Sequence, residues 1–177
     1  ARIDVLHAHV GSGVKDVSHW AQLFAQLAQV ADDIGSVKAI NLGGGLSVPY
    51  HDKEDEFDIA ALAQALHDSK SQWPQYALWM EPGRFMSAQC GVLLTRIAQV
   101  VGKLGVCRVG LDAGMNALMR PALYESKHRI VNLSRMDEHS SLKVDVVGPI
   151  CESTDVLARR VLLPAQSREG DVVLIDT

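Results

Sequence analysis

Within the first 84 residues, short apolar strands alternate with amphipathic helices. Arg2 to Val10 alternates and is rich in Ile, Val and Leu, which predicts a strand closed by Gly11-Ser12-Gly13. A helix is predicted over about residues 18–34, capped by Asp16 or Ser18 and stopped by Gly35. Its inward face would carry Trp20, Leu23, Phe24, Leu27, Val30 and Ile34. Val37–Leu42 is short, apolar and branched, a buried strand that runs directly into Gly43-Gly44-Gly45. After a charged loop over 51–58, a second helix over about 59–71 would turn Ile59, Leu62, Ala63 and Leu66 inward. Tyr76 to Glu81 is the third strand. Strands and helices in this order, with glycines or charges at each strand end, are the pattern of parallel βα units.

The rhythm stops at Glu81-Pro82-Gly83-Arg84. Proline cannot continue a central strand, and glycine permits a turn. Beyond it, a short helical turn at 85–89 leads to predicted strands at Gly91–Val101, Cys107–Asp112, Ser126–Leu133, Leu142–Val147 and Asp171–Asp176, with no long helix between them. The expectation is therefore α/β followed by β, with residues 1–84 in βα units and 85–177 in a mainly β domain. Three strands cannot close a barrel, and two helices cannot cover both faces of a parallel sheet. The chain opens inside a strand and ends just after one, so it is expected to be a fragment truncated at both ends.

Composition narrows the class. A net charge of -4 with no basic cluster argues against nucleic-acid binding. No apolar run approaches the roughly 20 residues needed to span a bilayer. Cys90, Cys107 and Cys151 form neither a disulfide framework nor a zinc signature, which points to a reducing cytosol.

Several strand ends carry candidate chemistry. Glu81 and Arg84 are costly at a buried strand end unless something binds them, and they either face a ligand or close the strand as a salt bridge. Gly43, Gly44 and Gly45 either cradle an anion with their N–H groups or form a tight turn. His7 and His9 share a strand face; they could bind a metal, stack on a flat ligand with Ser12 reaching a phosphate, or serve as core histidines. Cys151 and Glu152, after Gly148-Pro149, are either a catalytic pair or a structural thiol beside a surface acid. Arg120 and Tyr124 on one short turn suit a substrate carboxylate, or else pair a surface arginine with a half-buried tyrosine. Asp112 and Asp176 are read as loop caps.

Five of these motifs in order resemble one family. His-Val-Gly-Ser-Gly at 9–13, Gly-Gly-Gly at 43–45, Glu-Pro-Gly-Arg at 81–84, Arg-Pro-Ala-Leu-Tyr at 120–124 and Cys-Glu-Ser at 151–153 are similar to diaminopimelate decarboxylases. These are pyridoxal-phosphate enzymes of the alanine racemase-like fold. The resemblance implies that residues 1–84 are the last three βα units of a cofactor-binding (β/α)8 TIM barrel, followed by a β domain. It implies decarboxylation of meso-2,6-diaminopimelate to L-lysine and carbon dioxide, in lysine biosynthesis. His9 would stack on the pyridine ring, Ser12 and Gly43–Gly45 would hold the phosphate, and Glu81 would bond the pyridine nitrogen. Arg84, Arg120 and Tyr124 would bind substrate carboxylate. Cys151 and Glu152 would reach the partner subunit's site in a homodimer, the first handling a proton and the second a distal ammonium. No metal, nucleic acid or membrane partner is implied, and the location is cytoplasmic.

The family's Schiff-base lysine is missing, because Lys15, Lys38, Lys53, Lys70, Lys103, Lys127 and Lys143 lie outside an early barrel strand. A family tyrosine expected soon after Asp176-Thr177 is also absent. The chain alone is expected to be inactive. The alternatives are a related decarboxylase of ornithine, arginine or carboxynorspermidine, and a non-catalytic regulatory homologue.

Overall fold

The computed structural model describes residues 2–50, 54–103 and 105–176. Within the charged stretch 51–58, residues 51–53 lie outside the described residues, as does Thr177. The chain divides into two compact units, Ala1–Pro49 with Lys53–Ala88, and Tyr50–Asp52 with Gln89–Thr177.

The first unit runs β1 (Val5–His7), α1 (Ser18–Ile34), β2 (Ala39–Asn41), α2 (Ile59–Ser71), β3 (Ala77–Trp79) and a short α3 (Gly83–Ser87). Its three strands pair in parallel in the order β1-β2-β3. Register places Leu6, Ile40 and Leu78 side by side, and these pack with the apolar faces of α1 and α2. The next rung, His7, Asn41 and Trp79, points to the other face. On that face Trp79 is 51% exposed and Val5 is also exposed, although a parallel sheet is ordinarily covered on both sides.

Two details of the helices differ from expectation. The buried line of α1 is Trp20, Phe24, Ala28 and Ala31, while Val30 is 47% exposed and Ile34 is also exposed. Trp20 and Phe24 set the face, and steps of four and three residues from them land on alanines. Val30 falls off that line, and Ile34 ends the helix. In α2 the line is Leu62, Leu66 and Ser69, so Ile59 and Ala63 face outward. Asp58 caps α2 by accepting from the Ala61 N–H at 2.8 Å. Asp16 precedes α1 and accepts from the Ser18 N–H at 2.9 Å, a bond that holds its carboxyl below the usual carboxylate range. Helix α1 ends as expected at Gly35, whose φ is 73°.

The second unit contains β4 (Leu93–Lys103), β5 (Val106–Leu111), α4 (Arg120–Tyr124), β6 (Arg129–Asn132), β7 (Ser140–Val147), β8 (Val156–Pro164) and β9 (Val172–Asp176). They form one sheet in the order β6-β9-β4-β5-β7-β8. Strand β4 serves both halves: Leu93–Arg96 pairs with β9, and from Ile97 onward it pairs with β5, with an irregularity between Ile97 and Gln99. The core is Ile97, Val109, Leu111, Val144, Val146, Leu157, Leu163, Val173 and Ile175. Strand β8 was not anticipated. Its alternation breaks at Arg159-Arg160, where the chain bulges: Val144 pairs with Val161, but Val146 pairs with Ala158. Arg160 adopts a φ of 56°, and its N–H donates to the Asp145 carboxyl at 2.9 Å. Among the described residues, no helix is long and apolar enough to cross a membrane.

Candidate active site

In the first unit the loops after all three strands converge. Parallel pairing continues past the strand ends: Ala8 N–H donates to Asn41 C=O, Leu42 N–H to Trp79 C=O and Glu81 N–H to Gly43 C=O, at 3.0, 3.0 and 2.7 Å. These bonds bring His9, Ser12, Gly43–Gly45, Glu81 and Arg84 together at one end of the sheet, the carboxyl end where open α/β sheets bind ligands.

Asn41 organises the centre. Its Nδ2 donates to Glu81 Oε1 at 2.8 Å, and its Oδ1 accepts from the Gly43 N–H at 2.9 Å. His7 Nε2 lies 3.7 Å from Glu81 Oε2, and both side chains are about half exposed. Glu81 thus reaches solvent from a fixed base. Asn41 was missed in the sequence reading; its signal was an amide interrupting an apolar strand just before the glycines.

His9 is oriented by the same loop. Its Nδ1 accepts from the Gly44 N–H at 3.1 Å, so a neutral ring carries its proton on Nε2. The ring lies so close to Gly43 that a Cβ there would stand 2.8 Å from Nδ1. A Cβ on Gly44 would overlap the Glu81 carbonyl oxygen, and one on Gly45 would overlap the Gly11 carbonyl. The absence of side chains therefore permits the three loops to touch.

Of the two readings of the glycines, cradle or tight turn, these bonds favour a turn at Gly43 and Gly44. The N–H groups of Gly43 and Gly44 are engaged by Asn41 and His9 and do not point outward as a cradle. Among the described residues, the Gly45 N–H has no protein acceptor. It lies beside Ser12, whose Oγ accepts from Arg84 Nη2 at 3.0 Å. The Ser12 hydroxyl, the Gly45 N–H and the Arg84 guanidinium are donor types that suit an anion.

The second unit holds the remaining candidates. On α4, Arg120 Nη2 donates to the Tyr50 hydroxyl at 3.3 Å, and its guanidinium lies 5.3 Å from the Tyr124 ring centre. The Arg120 Nε is buried with no partner among the described residues, while Tyr124 is 68% exposed. Cys151 and Glu152 are exposed on the loop between β7 and β8. The Glu152 carboxyl accepts from the N–H and hydroxyl of Ser153, at 2.8 and 3.1 Å. A cavity of about 470 Å3 lies in this unit, lined by Pro121, His128, Ser153, Val156 and Val161 among others, but by none of these candidates.

The two strand-end aspartates brace loops. Asp112 accepts from the Arg96 N–H at 2.9 Å and the Thr95 hydroxyl at 2.5 Å, which hold its carboxyl below the usual range. Asp176 pairs with Arg129 at 2.8 Å. No group of three or more His, Cys, Asp or Glu residues able to hold a metal occurs among the described residues.

The chain is similar to known proteins over nearly its whole length. A diaminopimelate decarboxylase from Methanothermobacter thermautotrophicus is 35% identical over 181 residues, covering 96% of this chain and 42% of the relative. The Escherichia coli diaminopimelate decarboxylase is 38% identical over 165 residues, 88% of this chain and 39% of the relative. The chain thus spans about two fifths of the length of the curated relatives it matches. The structure of Helicobacter pylori diaminopimelate decarboxylase complexed with L-lysine superposes with a TM-score of 0.84 at 30% identity, over 99% of this chain and 43% of that one. Residues 9–177 match the model described as "Pyridoxal-dependent decarboxylase, C-terminal sheet domain", and the chain belongs to the pyridoxal-dependent decarboxylase family.

Proposed function

We propose that this chain is part of a diaminopimelate decarboxylase, which converts meso-2,6-diaminopimelate to L-lysine and carbon dioxide. The observation that carries the reading is Glu81, an exposed carboxyl fixed by Asn41 in the same loop cluster as an oriented His9 and the Ser12–Arg84 pair. This set fits pyridoxal phosphate: a carboxyl for the pyridine N–H, an imidazole for the ring face, and Ser12, Gly45 and Arg84 for the phosphate. Once bound, the cofactor supplies an electron sink for the pair left when carbon dioxide departs.

The chain's residues bind, orient and move protons around that sink. Glu81 accepts the pyridine N–H and keeps that proton on the ring nitrogen. His9 would offer its imidazole to the ring face, with its own orientation held by the Gly44 N–H. Arg84 stands next to Ser12, so it serves the phosphate side of the site and can reach a substrate carboxylate there. Arg120 and Tyr124 take a substrate carboxylate through the guanidinium and the hydroxyl. The Cys151 thiol handles the proton at the reacting carbon, and Glu152 holds the distal ammonium. The enzyme works as a homodimer, with Cys151 and Glu152 completing the partner's site. The open face of β1–β3 supports a (β/α)8 barrel in which further strands cover Trp79 and Val5.

The test uses the full-length protein. Glu81→Gln should keep the cofactor absorbance and lower the decarboxylation rate by about 100-fold or more. An unchanged rate would remove Glu81 from this role. Lysine formation from meso-diaminopimelate, measured in competition with ornithine and arginine, decides the substrate. Glu152→Asp should shift that preference.

A further inference from the structure

Asp155 is a buried acid that the proposed chemistry does not use. It is 3% exposed, and both carboxyl oxygens accept from backbone: Oδ1 from the Met115 N–H at 2.6 Å and Oδ2 from the Ile150 N–H at 2.8 Å. Its own C=O accepts from the Gly148 N–H at 3.0 Å, and its N–H donates to the Glu152 C=O at 3.1 Å. Two glycines make room for it. A Cβ on Gly114 would stand 2.5 Å from Oδ1, and one on Gly148 would overlap the carboxyl and the Gly114 Cα.

Two irregular segments therefore meet on one carboxyl. The first continues from Gly114, whose C=O accepts from the Ala117 and Leu118 N–H groups at 2.9 and 3.0 Å, into α4 with Arg120 and Tyr124. The second carries Cys151 and Glu152, whose side chains are exposed. Among the described residues, the Glu152 carboxyl bonds only to its neighbour Ser153, so the side chains do not fix this segment. Irregular backbone near a core needs acceptors for its N–H groups, and a carboxyl offers two at once.

We infer that Asp155 is a positioning residue, which sets Cys151 and Glu152 in register with the segment leading to Arg120. The inference rests on the reading of Cys151 and Glu152 as substrate-facing. Asparagine keeps the size of Asp155 but turns one acceptor into a donor, so it must face the Met115 or the Ile150 N–H donor to donor. The strand pairing of β7 and β8 needs neither oxygen, whereas the Cys151 segment needs one and the segment leading to Arg120 the other, so either orientation breaks their register.

The experiment compares Asp155→Asn in the full-length holoenzyme with the same change in a Cys151→Ser background. Alone, it should lower kcat by about 10- to 100-fold, as an ångström-scale misplacement does, with cofactor absorbance retained. In the Cys151→Ser background it should cost no more than about twofold, because residues acting as a unit are not additive. Losses that simply multiply would overturn the inference. A second readout needs no turnover. Iodoacetamide should alkylate Cys151 several-fold faster in Asp155→Asn, while exposed Cys90 keeps its rate and half-buried Cys107 stays protected. An unchanged Cys151 rate would also overturn it. If the wild-type enzyme decarboxylates no diamino acid, the functional reading fails, while alkylation still decides the role of Asp155. Gly114→Ala presses on the same carboxyl from the other segment and should give the same alkylation pattern, should Asp155→Asn fail to fold.

Discussion

Replacing Gly44 by alanine drives a methyl group into backbone. Unlike Gly43 and Gly45, with φ of 64° and 100°, Gly44 has a φ outside the left-handed region, so alanine meets no conformational penalty there. The obstacle is contact: the new Cβ would overlap the Glu81 carbonyl oxygen and stand 3.1 Å from its carbon and 3.8 Å from the Pro82 Cα. Backbone cannot swing aside as a side chain can. Relief requires a shift of roughly one ångström against the Glu81 N–H to Gly43 C=O bond at 2.7 Å and the Leu42 N–H to Trp79 C=O bond at 3.0 Å. Each bond contributes about 0.5–1.5 kcal/mol, and overpacking costs about 1–3 kcal/mol. Together these give a loss of about 2–6 kcal/mol, measured by urea unfolding of the full-length protein. The displaced Glu81 should also lower kcat by about 100-fold. Gly83 supplies the control, because it lies in the same Glu-Pro-Gly-Arg motif yet opens α3 with nothing near its would-be Cβ. Gly83→Ala should be neutral or stabilise by about 0.4–1 kcal/mol. A loss below about 0.5 kcal/mol for Gly44→Ala, or a larger loss for Gly83→Ala, would refute the close-approach argument.

Asn41→Ala removes one bond to a carboxyl and one to a backbone N–H, and should lower kcat by about 10- to 100-fold with cofactor still bound. Asn41→Asp keeps the acceptor for Gly43 but sets a second carboxyl where the amide now stands 2.8 Å from Glu81; it should be the more damaging of the two in steady-state assays. In the second unit, burial of Asp171 opposes its ionisation, but the bonds from Asn132, Arg135 and the Arg168 N–H prevail and hold its carboxyl below the usual range. A lowered folded pKa contributes stability above the unfolded carboxylate value and loses it as pH falls through the folded one. Asp171→Asn should therefore cost about 3 kcal/mol at pH 7, with the gap to wild type closing below about pH 4 in urea titrations. A gap independent of pH would count against the Arg135 pair, whose bond is 2.7 Å.

What the sequence disclosed and what it withheld divide along sequence separation. Gly11, Gly13 and Gly43 to Gly45 mark strand ends because a left-handed or crowded backbone leaves a local trace in residue type. The partners of those glycines leave none. His9 meets Gly44 across 35 residues, Asn41 meets Glu81 across 40, and Arg84 meets Ser12 across 72. Only the strand order β1-β2-β3 brings these pairs together, and apolar periodicity does not encode which loop faces which. For that reason the sequence leaves cradle and tight turn open for these glycines, and only the paired loops show that the Gly43 and Gly44 N–H groups turn inward. Strand β8 was hidden by the opposite problem, a local irregularity with a long-range cause. At Arg160 the extra residue shifts the alternation, and the Asp145 carboxyl that fixes the bulge lies on the neighbouring strand. Asp155 combines both effects. It stands four residues after Cys151 and looks like one more acid in a polar loop, until Met115, 40 residues earlier, supplies the second donor that makes it an anchor. In this chain the residues expected to touch ligand are legible from type and order, whereas those that hold them in place become visible only once the strands are paired.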